Sequence, residues 1–393
     1  MLRPKCSPSR WGSSALRGTI IIEQRPAIVG LCFTRKFTYR NFTSKNHHQS
    51  LWLYSPRRYG KTSLVLEAFS QITDIQTIYI DLFGSVNEQE CLHSYLDTLS
   101  RKLLNWQSGM KTITSVLRSI FRSATPSVTF DMMGNPSISL NVDPATNTQA
   151  AKEILNFPES ISYRKPICIA LDEFQEIATL NPKLINVMRS VFQHQTNVFY
   201  LFLGSKDSLM TKIFAHPRSP FYQFGKKISL PKISHEAFHQ FIIEQFRKTQ
   251  KPIDASTVKD ILDVTDGHPY YTQFAASVVW DIINSNEFAS PLPEKIWLDK
   301  LVTSQSAVFQ TLFDQLPMNQ RMILSFLADE SADKSLYSTS TRQHYSLPAS
   351  STVATAVKGL IEKGLLLKNS KTTFENPFFK VWVNSIRKHR IQS

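Results

Sequence analysis

The chain has 393 residues, enough for two or three domains with sizeable cores, and its apolar fraction of 42% is that of an ordinary soluble globular protein. Its net charge of +14 suggests nucleic acid until it is located: residues 1–61 carry +11, residues 62–341 carry −4 and residues 342–393 carry +7. That excludes a uniformly basic coat, the absence of any stretch near 18 consecutive apolar residues argues against a membrane span, and four scattered cysteines (Cys6, Cys32, Cys91, Cys168) argue for a reducing, cytoplasmic compartment.

Residues 1–49 read unlike the rest: rich in Arg, Ser and Thr, with a single acid and no sustained period. A transit peptide, a disordered basic arm and a stretch read in the wrong frame all fit this composition. From Ser50 the text changes to that of an α/β domain. Apolar runs at 51–55, 78–82, 166–171 and 198–203, with a shorter one at 228–230, have the length and composition of buried parallel strands. Between them fall helical patterns at about 62–71, 87–104 and 182–194. Residues 105–150 read as an insertion built on a β-hairpin, with Met133-Gly134-Asn135-Pro136 as its turn. Strands alternating with helices predict a parallel sheet covered on both faces over 50–231.

After Pro231 the strand pattern stops. Helices near 234–250, 255–265 and 270–284 predict a helical lid over 232–290. In the first of them Phe238, Phe241, Ile242 and Phe246 share one face. Residues 291–393 predict helices near 304–315 and 318–329, a Ser/Thr-rich link at 331–351, then a helix from Val353 to Lys363 closed by Gly364. A strand pair around Asn369-Ser370-Lys371 and a last helix from Pro377 complete the outline of a winged helix.

The chemistry is concentrated where the first strand ends. Ser55-Pro56-Arg57-Arg58-Tyr59-Gly60-Lys61-Thr62-Ser63 joins that strand to a helix, which is the layout of a phosphate-binding loop. Backbone N–H groups of such a loop cradle phosphate oxygens, and the helix N-terminus adds partial positive charge. Gly60 lets the backbone approach closely, Lys61 reaches the β- and γ-phosphates, and the Thr62 hydroxyl holds Mg²⁺. Ser55 stands where the general pattern has its first glycine. Asp172-Glu173 closes the third apolar run, so Asp172 is placed to support Mg²⁺ and Glu173 to act as general base on water. Acids at a helix start would look the same in isolation.

Ser205, at the end of the fourth run, is placed either to sense the γ-phosphate or to cap the next helix. Pro269, in Gly267-His268-Pro269-Tyr270-Tyr271, is placed to pack on a base or simply to open a helix behind a glycine C-cap. Arg57, Arg58, Arg189 and Arg218 are available as phosphate contacts, although a solvated surface role is the simpler reading of each. The histidines have no metal-ligand company, so Mg²⁺ is the one metal expected.

Taken together, the loop Ser-Pro-Arg-Arg-Tyr-Gly-Lys-Thr-Ser-Leu, the segment Leu-Asp-Glu-Phe-Gln-Glu-Ile, the strand end Phe-Leu-Gly-Ser-Lys and Gly-His-Pro-Tyr-Tyr resemble the archaeal-type ATPases of the STAND group. These are relatives of AAA+ proteins and of origin-recognition ATPases. Ser55 fits this family's own version of the loop, and Phe374-Glu375-Asn376-Pro377 resembles its segment at the start of the last helix. The resemblance covers about residues 50–383. It implies a P-loop NTPase core, a lid and a winged helix, with ATP and Mg²⁺ as ligands and Lys61 and Glu173 as the catalytic pair. It implies a slow switch that meets a protein partner, a second copy of itself or, as in replication initiators, DNA through the winged helix. One departure stands out. The family's Phe-x-Gly-Arg-x-x-Glu-Leu segment before the loop is reduced here to Phe33-Thr34-Arg35-Lys36, which favours the wrong-frame reading of residues 1–49.

Overall fold

The computed structural model describes residues 50–392 apart from 105–109, 131, 135, 142–146, 163–164, 206, 231–232, 289–290, 330–334 and 369–371. The readings of residues 1–49, and the turn at Asn369-Ser370-Lys371, lie outside the described residues. The rest falls into two compact units, divided along the chain between residues 232 and 233.

The first unit is built on five parallel strands. In chain order they are β1 (Leu51–Tyr54), β2 (Gln76–Asp81), β5 (Ile167–Asp172), β6 (Val198–Gly204) and β7 (Lys226–Ser229), with β3 (Pro126–Phe130) and β4 (Pro136–Leu140) forming a separate antiparallel hairpin. The order across the sheet is β2-β5-β6-β1-β7. The three central strands are apolar almost throughout because both faces are covered, and β5 and β6 are buried at every residue. On one face Leu51, Leu53, Ala170, Leu201 and Leu203 pack with Val65 and Phe69. On the other, Trp52, Ile80, Ile169, Leu171 and Phe202 join a larger core that includes Phe174, Phe214 and Phe221.

The helices of this unit are α1 (Lys61–Gln71), α2 (Glu88–Leu103), α3 (Met110–Ile120), α4 (Thr148–Ile161), α5 (Ile177–Leu180), α6 (Pro182–Phe192) and α7 (Asp207–Phe214), with a 3₁₀ turn at Phe174–Glu176. The segment read as a hairpin insertion thus also carries α3, and α4 follows it. Pro158 inside α4 disguises that helix, because a proline reads as a breaker although its neighbours Ile154, Leu155 and Phe157 are fully buried.

Register decides what the strand ends share. Tyr54 pairs with Gly204, Asp81 with Asp172, and Leu171 with Phe202, so the carboxyl ends of β1, β2, β5 and β6 finish at one edge. Because β6 lies between β1 and β5, the residues just past β6 sit between the two loops that carry the candidate chemistry.

The second unit contains α8 (His235–Lys248), α9 (Ala255–Thr265), α10 (Pro269–Asn284), α11 (Glu294–Asp314), α12 (Met318–Ala328), α13 (Thr339–His344), α14 (Ser350–Glu362), the wing β8 (Leu366–Lys368) with β9 (Thr372–Phe374), and α15 (Pro377–Gln392). Lid and winged-helix segments belong to one compact body. The connector is α11, which starts ten residues earlier than its sequence pattern suggested and packs against α9, α10 and α15. Its Trp297 and Leu301 are fully buried, and Phe309 and Phe313 meet the rings of Phe379 and Trp382.

A polar tie reinforces this body: Tyr271 of α10 donates its hydroxyl to Glu375 Oε2 at 2.6 Å, beside an edge-on contact between the Tyr271 and Phe378 rings. A hydrogen bond to a carboxylate is worth about 1.5–3 kcal/mol. Tyr271→Phe is therefore expected to lower the stability of the second unit by about 1–2 kcal/mol, read as a lower denaturant midpoint with an unchanged slope.

Candidate functional site

The loop between β1 and α1 is shaped by two left-handed residues, Arg58 at φ 63° and Gly60 at φ 80°. Gly60 adopts that conformation at no steric cost, whereas Arg58 carries local strain of the kind found in ligand-binding turns. Gly60 also starts α1, and no side chain caps it. The first N–H groups of this helix therefore face the loop without a capping oxygen, which makes the turn a natural seat for an anion.

Lys61, the first residue of α1, is 6% exposed and folds back over the loop. Its Nζ donates to the carbonyl oxygens of Ser55 at 2.7 Å and Pro56 at 2.9 Å. Burial pushes its pKa down to about 8, the carboxylates of Glu173 and Asp172 pull it partly back up, and the charge of Arg57 adds to the lowering. Ser55 is buried beneath the loop. Pro56, Tyr59 and Ser63 are half-buried, and Arg57 and Arg58 are exposed.

Asp172 is the meeting point. Its Oδ2 accepts from the Thr62 hydroxyl at 2.6 Å and from the Tyr79 hydroxyl at 2.7 Å, while its Oδ1 accepts the backbone N–H of Glu173 at 2.8 Å. One carboxylate thereby joins α1, β2 and the end of β5. The carboxylate and the bond it accepts raise the Tyr79 hydroxyl above its ordinary range, after burial, which contributes most. Glu173 itself is left-handed, at φ 52° and ψ 40°. Its Oε2 accepts from Ser205 Oγ at 2.7 Å and from Gln175 Nε2.

The structure thus brings Lys61, Thr62, Asp172, Glu173 and Ser205 to one edge of the sheet. The Ser205 hydroxyl donates to the acid Glu173 at the end of β5. Pro269 belongs to the other unit, where it is the first residue of α10, behind Asp266 and Gly267 in left-handed conformation. Arg189 is committed elsewhere, donating to the Pro220 carbonyl and lying over the Phe224 ring. Tyr79 and Gln175 escaped the sequence reading. The available signals were a hydroxyl-bearing ring inside the apolar strand Ile78-Tyr79-Ile80 and an amide three residues after Asp172.

Thr62 and Asp172 offer only oxygen donors, one neutral and one anionic, which is the ligand chemistry Mg²⁺ prefers. Among the described residues no group of three or more His, Cys, Asp or Glu is placed to hold a metal by itself. Any Mg²⁺ here would need phosphate oxygens or water to complete its shell. No helix among the described residues is long and apolar enough to cross a membrane.

Residues 40–273, more than half of the chain, match the family described as "ATPase domain predominantly from Archaea", and residues 307–385 match "Probable winged helix domain". The chain belongs to that ATPase family and carries a winged helix at its C-terminal end. Among solved structures, a Walker-type ATPase of Pyrococcus abyssi is similar at TM-score 0.56 and 13% identity, covering 92% of this chain and 95% of the other. The ORC2 protein of Aeropyrum pernix, solved in ADPNP–ADP complexes, is similar at TM-score 0.52 and 15% identity, covering 94% of each. At these identities the likeness is one of fold. No curated protein sequence matches the chain.

The depressed Lys61 pKa carries a stability consequence. Unfolded lysine holds its proton up to about 10.5, whereas folded Lys61 releases it near 8. The unfolded state thus binds more protons in that window, and this residue makes stability rise with pH from about 8 to about 10.5. Below pH 8 the buried cation opposes folding. Lys61→Met is expected to raise the melting temperature at pH 7 and to flatten that rise, which thermal denaturation across the pH range checks.

Proposed function

We propose that this protein binds ATP with Mg²⁺ and hydrolyses it slowly, as a molecular switch of the STAND type. The observation that carries the reading is the convergence of Lys61, Thr62, Asp172 and Glu173, from two loops about 110 residues apart, on one sheet edge. The Ser55–Ser63 loop wraps the phosphates with backbone N–H groups. Lys61 exchanges its bonds to the Ser55 and Pro56 carbonyls for β- and γ-phosphate oxygens. Their negative charge stabilises the ammonium that burial disfavours. Thr62 and Asp172 hold Mg²⁺, which when bound neutralises charge on the phosphates.

Glu173 accepts the proton of the attacking water. Its two observed side-chain bonds both fall on Oε2, so Oε1 is the oxygen assigned to that task. Ser205 reports the γ-phosphate to the acid through the bond it already makes. Because α10 is joined to the winged helix through α11 and the Tyr271–Glu375 bond, a nucleotide-dependent shift of the lid carries the winged helix with it.

The partner read by the winged helix is assigned to a protein or a second copy of this chain ahead of DNA. Of the lysines that gave this end its charge, Lys363 donates to Gln320 at 2.9 Å and serves the domain's own fold, and Lys358 has an acid, Glu362, one turn away at 3.9 Å that offsets its charge. A steep salt dependence of duplex binding by the full chain, with a log–log slope beyond about −3, would reverse that order.

Lys61→Ala is expected to weaken ATP binding by at least about tenfold. Glu173→Gln is expected to leave binding within about threefold and to lower hydrolysis about 100- to 10,000-fold. Isothermal titration and phosphate release by the full chain check both. Unchanged binding after Lys61→Ala would remove the proposal.

A further inference from the structure

Beside the acid at the site lies a polar side chain that the phosphate-binding layout does not require. Gln175, in the 3₁₀ turn after β5, is fully buried. Its Nε2 donates to Glu173 Oε2 and lies 3.3 Å from Glu176 Oε1, and its own Oε1 is buried without a hydrogen-bond partner among the described residues. An amide carbonyl left in that condition costs about 1–3 kcal/mol, and an apolar side chain of the same size would avoid the cost. Something must offset it.

The surroundings are built around this amide. A Cβ on Gly204 would lie 2.7 Å from Gln175 Oε1 and 2.4 Å from Met210 Cγ, so any larger residue at 204 would displace both side chains. Across the turn, Glu173 stands on a strained left-handed backbone and reaches out on a side chain with three rotatable bonds. Ser205 alone would leave its carboxylate free to swing about a single hydrogen bond. A second donor, from a residue packed on all sides, removes that freedom.

We infer that Gln175 is a positioning residue for the reaction: it holds the Glu173 carboxylate, together with Ser205, in the orientation from which the other oxygen meets water. Gln175 does not touch the reacting atoms and acts only through Glu173. The inference rests on the ATPase reading above and deepens it, since it explains how a flexible acid is kept ready in a site whose other members are fixed.

The test compares the full-length wild type with Glu173→Gln, Gln175→Met, Gln175→Asn and the double variant Glu173→Gln/Gln175→Met, measuring ATP binding and single-turnover hydrolysis. Methionine keeps the length and removes the donor; asparagine keeps the amide and shortens its reach. Either single Gln175 change is expected to lower the hydrolysis rate about 10- to 100-fold while ATP affinity stays within about threefold. In the Glu173→Gln background, Gln175→Met is expected to lower the residual rate no further, because the carboxylate it served is gone. A purely structural role would instead lower affinity and rate together, or act equally in both backgrounds.

Either of those results, or full activity in Gln175→Asn, overturns the inference and leaves the proposed function standing. Wild-type protein that binds ATP without turnover, or turnover indifferent to Glu173→Gln, overturns both. Should Gln175→Met fail to fold, Gln175→Asn alone decides.

Discussion

The structure of this site depends on one buried carboxylate. Asp172 is 4% exposed, and burying a charge to that degree is tolerable only when hydrogen bonds replace the lost water. It receives three: hydroxyls from Thr62 and Tyr79 and the N–H of Glu173. Each donor comes from a different element, so satisfying the charge also fixes where α1, β2 and the turn after β5 meet. Tyr79 shares Oδ2 with Thr62, so a cation that draws Thr62 away would still leave Asp172 anchored to β2.

A second tension sits next to the loop's glycine. Lys61 is a cation placed where solvent is excluded, held by carbonyl oxygens rather than by an anion, with acids near enough to keep it largely charged at neutral pH. Left-handed Arg58 and the uncapped start of α1 add further cost to the same turn. A fold selected for stability alone would remove all three, and their concentration in nine residues is what a site prepared for a polyanion looks like.

The parts of this arrangement that are local in sequence were legible there. An apolar strand running into Ser-Pro-Arg-Arg-Tyr-Gly-Lys-Thr, and another running into Asp-Glu, announce both ends of the site without knowledge of the sheet. What was not legible depends on strand order and on rotamers. Tyr79 reads as one more aromatic residue in a buried strand until β2 is known to lie beside β5, and only the insertion of β6 between β1 and β5 turns Ser205 toward Glu173. Gln175 reads as an ordinary helix-start residue. Pro158 concealed α4, and the charged residues around Ile296-Trp297-Leu298 concealed the first half of α11. That helix lies within residues 291–393 and packs against α9, α10 and α15.

The measurement that tests the account most directly is an experimental structure of the full chain with Mg²⁺ and a non-hydrolysable ATP analogue. The account expects the triphosphate in the Ser55–Ser63 loop, Lys61 Nζ moved from the Ser55 and Pro56 carbonyls to phosphate oxygens, and Thr62 and Asp172 on the metal with Glu173 beside the γ-phosphate. A nucleotide seated away from that loop, or a bound nucleotide that leaves Lys61 on its carbonyls and Thr62 on Asp172, would contradict it.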